Sequence, residues 1–111
     1  MDAVDETVYI SVITVEEYLR EIYYPYWENK PMLKRKLMEA KRDLSAFEIL
    51  PVTYEIAVKA SEIEVDLINR GEAVSLADLI IAATAMHHNL VLITRNVKHF
   101  KRIRKLVISY Y

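Results

Sequence analysis

Short apolar runs alternate with helical patterns along the whole chain. The runs at 8–13, 47–52, 90–94 and 106–109 are apolar and rich in β-branched residues, and each predicts a strand. Pro51 cannot donate a hydrogen bond to a neighbouring strand, so the second of these strands is expected at a sheet edge.

Helices are predicted between these strands from apolar spacing and from capping residues. Thr14 opens the first helix, with Glu17 at the spacing of a capping box, and Pro25 stops it after Tyr24. The helix that Ser75 opens is apolar almost all round, which predicts burial on several sides. The other helices begin at Pro31, at Thr53 and near residue 96, and Gly71 and Asn89 are predicted C-terminal caps.

The resulting order is β-α-α-β-α-α-β-α-β, which predicts a single α/β domain over residues 1–111 with a mainly parallel sheet covered by helices. Ligands of open parallel sheets gather at the carboxyl ends of the strands. Several polar residues are expected together on that rim, namely Glu17, Asp78, Arg95, Asn96 and His99.

Composition narrows the chemistry that this rim can perform. The chain has no cysteine, which excludes disulfides and thiolate metal sites. Its net charge of -1 gives no global attraction to nucleic acid. No apolar run reaches the ~18 residues of a membrane span. Because the N-terminus is acidic and unlike a signal peptide, we expect a cytoplasmic protein without a membrane segment.

Two carboxylates and an amide on one rim are suitable ligands for a hard cation. The oxygens of Glu17, Asp78 and Asn96 suit Mg²⁺ or Mn²⁺, and such an ion activates water for attack on a phosphodiester. Basic residues that follow the third strand are candidates for phosphate contacts. These candidates are Arg95, Lys98, Lys101, Arg102, Arg104 and Lys105.

Each candidate also has a purely structural interpretation. Glu17 and Asp78 stand where an acid caps a helix, and spacing alone favours capping. Asp78, however, lies in an otherwise apolar helix, where a buried carboxylate needs partners. The pair at 87–88 fits a helix end better than a ligand site, and His99 is open to either interpretation. A basic run is commonly a solvated surface.

Three stretches together resemble the PIN-domain ribonucleases of the VapC type. They are ISVITVEEYLRE at 10–21, FEILPVTYEIAVKASEIEVDLINRGEAVSLADLIIAATAMHHN at 47–89 and LVLITRNVKHFKRI at 90–103. The resemblance implies a three-layer sandwich with a central, mainly parallel sheet. It also implies Mg²⁺- or Mn²⁺-dependent RNA cleavage, with Glu17 as the second family acid and Asp78 as the third. Family members commonly form homodimers and are neutralised by a small VapB-like antitoxin.

The chain departs from this family pattern in two places. The family begins with a strand that carries an Asp, and we do not transfer that role to Asp2, Asp5 or Glu6. A further family acid commonly stands at the position of Asn96 or His99, and here neither is acidic. We therefore expect an N-terminally truncated sheet of about four strands. In such a sheet, strand 8–13 pairs directly with strand 90–94 or another chain fills the gap.

Three functions remain open from the sequence. The first is a metal-dependent endoribonuclease of the toxin–antitoxin type, which the missing acids could impair and in which Glu17, Asp78 and Asn96 are catalytic. The second is a non-catalytic PIN module for dimerisation or antitoxin-like partner binding, which the absent acids favour. A phosphate-responsive receiver domain is the weakest alternative, because it needs an Asp at a strand end and no predicted strand ends in one.

Overall fold

The computed structural model describes residues 7–110, so Asp2, Asp5 and Glu6 lie outside the described part. The chain divides between Pro51 and Val52 into two compact units. The prediction of a single domain over 1–111 stays a prediction. Within residues 7–110, no helix combines the length and the apolar character that a membrane span requires.

The predicted order of strands and helices is confirmed for the described residues. Strands are shorter than predicted, while most helices begin and end within two or three residues of their expected positions. The elements are β1 (Tyr9–Ser11), α1 (Val12–Tyr26), α2 (Lys30–Leu44), β2 (Glu48–Leu50), α3 (Tyr54–Asn69), α4 (Leu76–His87), β3 (Leu92–Ile93), α5 (Val97–Phe100) and β4 (Ile108–Ser109).

In the first unit, β1 and β2 form a parallel pair, and helices α1 and α2 pack against each other. Ser11 ends β1 and also caps α1, because its Oγ accepts a hydrogen bond from Ile13 N at 3.2 Å. The predicted start at Thr14 is therefore wrong. Pro25 lies inside the last turn of α1 rather than after it, so the predicted stop at Tyr24 is also wrong.

The earlier start of α1 changes the interpretation of Glu17. Counted from Val12, Glu17 falls in the second turn of the helix, beyond the backbone N–H groups that a cap satisfies. The predicted capping box between Thr14 and Glu17 is therefore absent. Helix capping no longer explains why a carboxylate stands at this position.

In the second unit, α3 packs against α4, and α3 contributes four buried apolar residues to the core. The predicted burial of α4 is confirmed, since six of its residues are buried. Thr84 is one of these six residues, and its hydroxyl donates a hydrogen bond to Ile80 O at 2.7 Å, which satisfies the polar group within the helix. The buried apolar side chains of this unit are Ile56, Ala60, Ile63, Leu67, Leu79, Ile80, Ala82, Ala83, Ala85, Phe100 and Ile103.

Both predicted C-terminal caps are confirmed by left-handed backbone angles. Gly71 has φ of 74°, and Glu72 N donates to Leu67 O at 2.9 Å, which closes the end of α3. Asn89 has φ of 55°, and Leu90 N donates to Ala85 O at 2.8 Å after α4. These two caps set the directions in which the chain leaves the central helix pair of the unit.

The predicted α/β fold with parallel strands is confirmed, and within residues 7–110 the strands form two parallel pairs. β1 pairs with β2, and β3 pairs with β4. Direct pairing of strand 8–13 with strand 90–94 is not among the ladders within residues 7–110. Each observed pair joins strands linked by a helical crossover, as parallel pairing requires.

Candidate active site around Asp78

Asp78 stands in the first turn of α4, where its main chain and side chain have different partners. Ser75 caps the helix, and its Oγ accepts a hydrogen bond from Asp78 N at 3.2 Å. The Asp78 carboxylate instead points to His99, whose Nε2 lies 2.9 Å from Asp78 Oδ2. The capping bond from Asp78 N to the Ser75 side chain is therefore present, as predicted. The Asp78 carboxylate does not take part in the capping box and contacts His99 instead.

His99 reaches Asp78 because the short helix α5 is anchored by apolar residues. Phe100 and Ile103 are 6% and 3% exposed and attach this segment to the core of the second unit. The His99 ring packs edge-on against Phe100, with ring centroids 5.5 Å apart. The side chains of Asp78 and His99 are 29% and 31% exposed, so the pair lies at the surface but is partly shielded from water.

Arg102 holds the other side of the His99 ring. Its Nη2 lies 3.3 Å from His99 Nδ1, and its Nε donates to His99 O at 2.8 Å. The third nitrogen, Nη1, donates to Ala73 O at 3.1 Å. Nη1 also lies 3.8 Å from Glu72 Oε2, a distance suited to an ion pair but too long for a hydrogen bond. Arg102 thus ties α5 to the loop that precedes α4.

These contacts determine which His99 nitrogen carries the proton. A guanidinium can only donate, so His99 Nδ1, which faces Arg102, must accept. The neutral ring then carries its proton on Nε2 and donates it to Asp78 Oδ2. Within residues 7–110, the other carboxylate oxygen, Asp78 Oδ1, has no hydrogen bond and is available to a ligand.

The other two predicted catalytic residues are accessible in their own units. Glu17 is half-buried on α1, and its carboxylate forms no hydrogen bond or ion pair within the described part of the chain. Asn96 is exposed at the N-cap position of α5, and its side chain makes no capping bond there. Its backbone N donates to Thr94 Oγ1 at 3.0 Å, which shapes the turn after β3.

The predicted RNA-binding residues differ in how they are used. Lys98 and Lys101 are exposed, and within residues 7–110 neither side chain has a hydrogen-bond or ion-pair partner. Arg95 is also exposed. Arg102, in contrast, has a side chain that is only 24% exposed, and it donates three hydrogen bonds inside the protein. One sequence signal for this difference is the spacing of Arg102 three residues after His99, which places the two side chains as neighbours on a helical turn.

The donor chemistry at Asp78 fits a hard divalent cation, with an incomplete ligand set. Asp78 Oδ1 is a carboxylate oxygen without a hydrogen bond in the described part of the chain, and Mg²⁺ is commonly bound through one or two carboxylates and several waters. Within the described residues, no group of three or more His, Cys, Asp and Glu side chains comes together. A cation at Asp78 would therefore need water and a second carboxylate to complete its ligands.

These observations define a class of α/β protein that has parallel strand pairs and an acidic residue in the first turn of an apolar helix. Residues 1–106 match the PIN domain family. The chain is 35% identical over 102 residues to Ribonuclease VapC1 of Methanocaldococcus jannaschii, covering 92% of this chain and 68% of that protein. The chain belongs to the PIN-domain family and, within it, to the VapC type.

Two further similarities extend this comparison. VapC ribonuclease PF0355 of Pyrococcus furiosus is 32% identical over 102 residues, which are 89% of this chain and 62% of the relative. The chain thus spans less than two thirds of the length of that protein. The crystal structure of VapBC2 from Rickettsia felis, bound to a DNA fragment from its promoter, matches with a TM-score of 0.79 and 28% identity. That match covers 95% of this chain and 75% of the solved chain.

Proposed function

We propose that this protein is a Mg²⁺- or Mn²⁺-dependent endoribonuclease of the toxin–antitoxin type. The observation that carries the proposal is the Asp78 carboxylate: Oδ2 is bonded to His99 at 2.9 Å, and Oδ1 has no hydrogen bond within residues 7–110. An anchored carboxylate with one open oxygen can bind a cation without first paying the cost of ordering its side chain. The similarity to proteins named VapC ribonucleases supports RNA as the substrate.

In this proposal, the chain's own residues have separate roles. Asp78 and Glu17 hold the cation through carboxylate oxygens, and Asn96 contributes a neutral oxygen that binds the cation or orients a water. Lys98 and Lys101, with Arg95, bind the phosphates on either side of the scissile bond. A bound Mg²⁺ or Mn²⁺ would supply positive charge against the scissile phosphate and favour attack by water.

The proposal includes a protein partner. The solved VapBC2 relative from Rickettsia felis is a complex, and it binds a promoter DNA fragment. We infer a VapB-like antitoxin as the partner of this chain. Binding of such a partner is separable from catalysis, because it does not require a cation at Asp78.

Glu17 provides the first test of the cation site. We expect Glu17→Gln to lower metal-dependent RNA cleavage by about 100-fold, since one charged ligand is lost while the size of the side chain is kept. The measurement is the initial rate of cleavage of a fluorescent RNA by the purified chain with Mn²⁺, repeated with EDTA.

The neighbouring Glu16 is the matched control for this substitution. Its side chain is 55% exposed and pairs with Arg20 at 3.4 Å on the surface of α1. Glu16→Gln should change the rate by less than about twofold, because exposed pairs of this kind contribute little. Equal losses in both variants, or cleavage that persists in EDTA, would contradict a cation held by Glu17.

A second candidate function is a non-catalytic module for homodimerisation or partner binding. Exposed aromatic residues near the end of α1 favour it: Tyr24 is 87% exposed and Trp27 is 56% exposed. Lys30 lies 3.9 Å above the Trp27 ring and fixes that ring at the surface. Aromatic side chains are enriched in protein interfaces.

Light scattering combined with the cleavage assay separates the two candidate functions. A dimer that never cleaves RNA in Mn²⁺ supports the interaction module, and a cleaving protein of either size supports the nuclease. If the chain stays monomeric up to high concentration, homodimerisation is excluded. The second candidate function is then limited to binding a different partner.

A further inference from the structure

We propose that Arg102 and His99 are positioning residues for Asp78, and that Arg102 is not an RNA-binding residue. Arg102 fixes the ring of His99, and His99 fixes one oxygen of Asp78, so that the other oxygen faces outward. The part of this proposal that concerns a cation rests on the proposed function. The part that concerns the three side chains is independent of it.

The first step is the anchoring of Arg102. Its guanidinium contacts the carbonyl oxygens of His99 and Ala73 and the ring nitrogen of His99, so all three of its nitrogens are engaged. Its own carbonyl oxygen accepts a hydrogen bond from Arg70 Nη2 at 2.7 Å. Arg70 in turn pairs with Asp66 at 2.7 Å at the end of α3. Both the main chain and the side chain of Arg102 are therefore tied to neighbouring segments.

The second step is the orientation of His99. An imidazole can flip about its final torsion, which exchanges Nδ1 with Cδ2 and Nε2 with Cε1, and it can also exchange tautomers. Arg102 stabilises the orientation in which Nδ1 accepts, because a guanidinium cannot accept a hydrogen bond. The proton then lies on Nε2, directed at Asp78.

The third step is the orientation of Asp78. The terminal torsion of an aspartate is broad and roughly two-fold, so an unpartnered carboxylate interchanges its oxygens readily. The hydrogen bond from His99 Nε2 selects Oδ2 as the inner oxygen. Partners of this kind are known to set the orientation and basicity of metal-binding side chains. The expected consequence is a preformed outward direction for Asp78 Oδ1.

Engagement of its donors distinguishes Arg102 from the nearby lysines. Three of the five N–H groups of Arg102 donate inside the protein, which restricts how its guanidinium can meet an RNA phosphate. Within residues 7–110, Lys98 and Lys101 have no hydrogen-bond or ion-pair partner that restricts them in this way. A substitution of Arg102 should therefore alter the site even when no RNA is present.

The test begins with metal-free protein and ¹⁵N NMR of the histidine rings at about pH 8, where an ordinary imidazole is neutral. The chain has three histidines, and His99→Gln identifies the His99 signals by their loss. We expect His99 to carry its proton on Nε2. In Arg102→Met, the Nδ1 signal of His99 should shift, because its donor is gone, while the signals of His87 and His88 stay in place as internal references.

The second measurement is Mn²⁺ affinity. Loss of an outer partner of a metal-binding residue typically weakens binding by about 10–100-fold, and we expect this for Arg102→Met and for His99→Phe. His99→Gln should recover part of the affinity, because its amide can donate to Asp78 from a similar position. Arg42→Met is the matched control, since Arg42 is exposed on α2 and within residues 7–110 its side chain has no hydrogen-bond or ion-pair partner.

The outcomes separate this proposal from the proposed function. A proton on His99 Nδ1, or an unchanged Nδ1 signal in Arg102→Met, overturns the positioning role. A shifted Nδ1 signal together with weaker Mn²⁺ binding supports the positioning role. A shifted Nδ1 signal in a protein that never cleaves RNA also supports the positioning role, and it contradicts only the proposed nuclease function. If Arg102→Met does not fold, Arg102→Lys replaces it, because one ammonium cannot satisfy all these acceptors.

Discussion

Asp78→Asn should lower metal-dependent RNA cleavage by about 100–1000-fold while leaving the fold intact. The amide oxygen of asparagine can still accept the hydrogen bond that His99 Nε2 now donates to Asp78 Oδ2. The amide nitrogen then replaces the free Oδ1, and a donor at that position repels a cation. The substitution therefore removes the charge and the open ligand in one step and keeps the packing.

The matched control for this prediction is Asp43→Asn on α2. Asp43 is exposed, and within residues 7–110 its carboxylate forms neither a hydrogen bond nor an ion pair. Cleavage rates with Mn²⁺, thermal unfolding and Mn²⁺ binding should be measured for both variants. Loss of cleavage in Asp43→Asn as well, or full activity in a folded Asp78→Asn, would remove Asp78 from the reaction.

Local signals in the sequence were sufficient to predict most helix ends. Ser75 and Thr53 cap their helices as predicted, each accepting a backbone N–H three residues later at 3.2 and 3.3 Å. Gly71 and Asn89 adopt the left-handed angles that end a helix. These features depend on residues close in sequence, and one side chain is enough to decide each of them.

The start of α1 was mispredicted because two local signals competed. Thr14 and Glu17 match a capping box, but Ser11 caps the helix three residues earlier. The apolar residues Val12 and Ile13 fit a strand and a helix equally well over so short a distance. The cap at Ser11 decided the outcome, and it moved Glu17 from a capping position to one where its carboxylate has no structural partner within residues 7–110.

Sheet pairing was less predictable than the elements themselves. The order of the strands along the chain is predicted correctly, but the sequence carries no direct signal for which strand pairs with which. In the described residues, each strand is bonded only to the neighbour that its own helical crossover brings back, β1 to β2 and β3 to β4. Strand pairing depends on how all the helices pack around the strands, and the sequence of one short apolar run does not specify that packing.

The site was predicted as a set of residues but not as a set of contacts. Asp78 and His99 were expected on one rim, and their side chains meet although they are 21 residues apart in sequence. Arg102 was assigned to RNA because basic residues near a proposed phosphate site are natural candidates. Burial and three internal acceptors favour a structural use instead, and neither property can be read from the residue type.

The largest stability effect is expected at Leu67, a residue of the core between α3 and α4. Its side chain is 1% exposed, so Leu67→Ala removes buried methyl groups and leaves a cavity, which should lower the free energy of unfolding by about 2–5 kcal/mol. The backbone oxygen of Leu67 accepts from Glu72 N and Arg70 N at the end of α3, and these bonds survive the substitution. The loss therefore measures side-chain packing, and urea unfolding followed by circular dichroism gives its size.

Ile68 is the matched control, because it is the next residue of the same helix and its side chain is 60% exposed. Ile68→Ala should change the free energy of unfolding by less than about 0.5 kcal/mol, as most surface substitutions do. Similar losses for the two variants would mean that Ile68 is covered in solution. In that case the α3 surface is an interface, and repeating the unfolding at several protein concentrations would show a midpoint that rises with concentration.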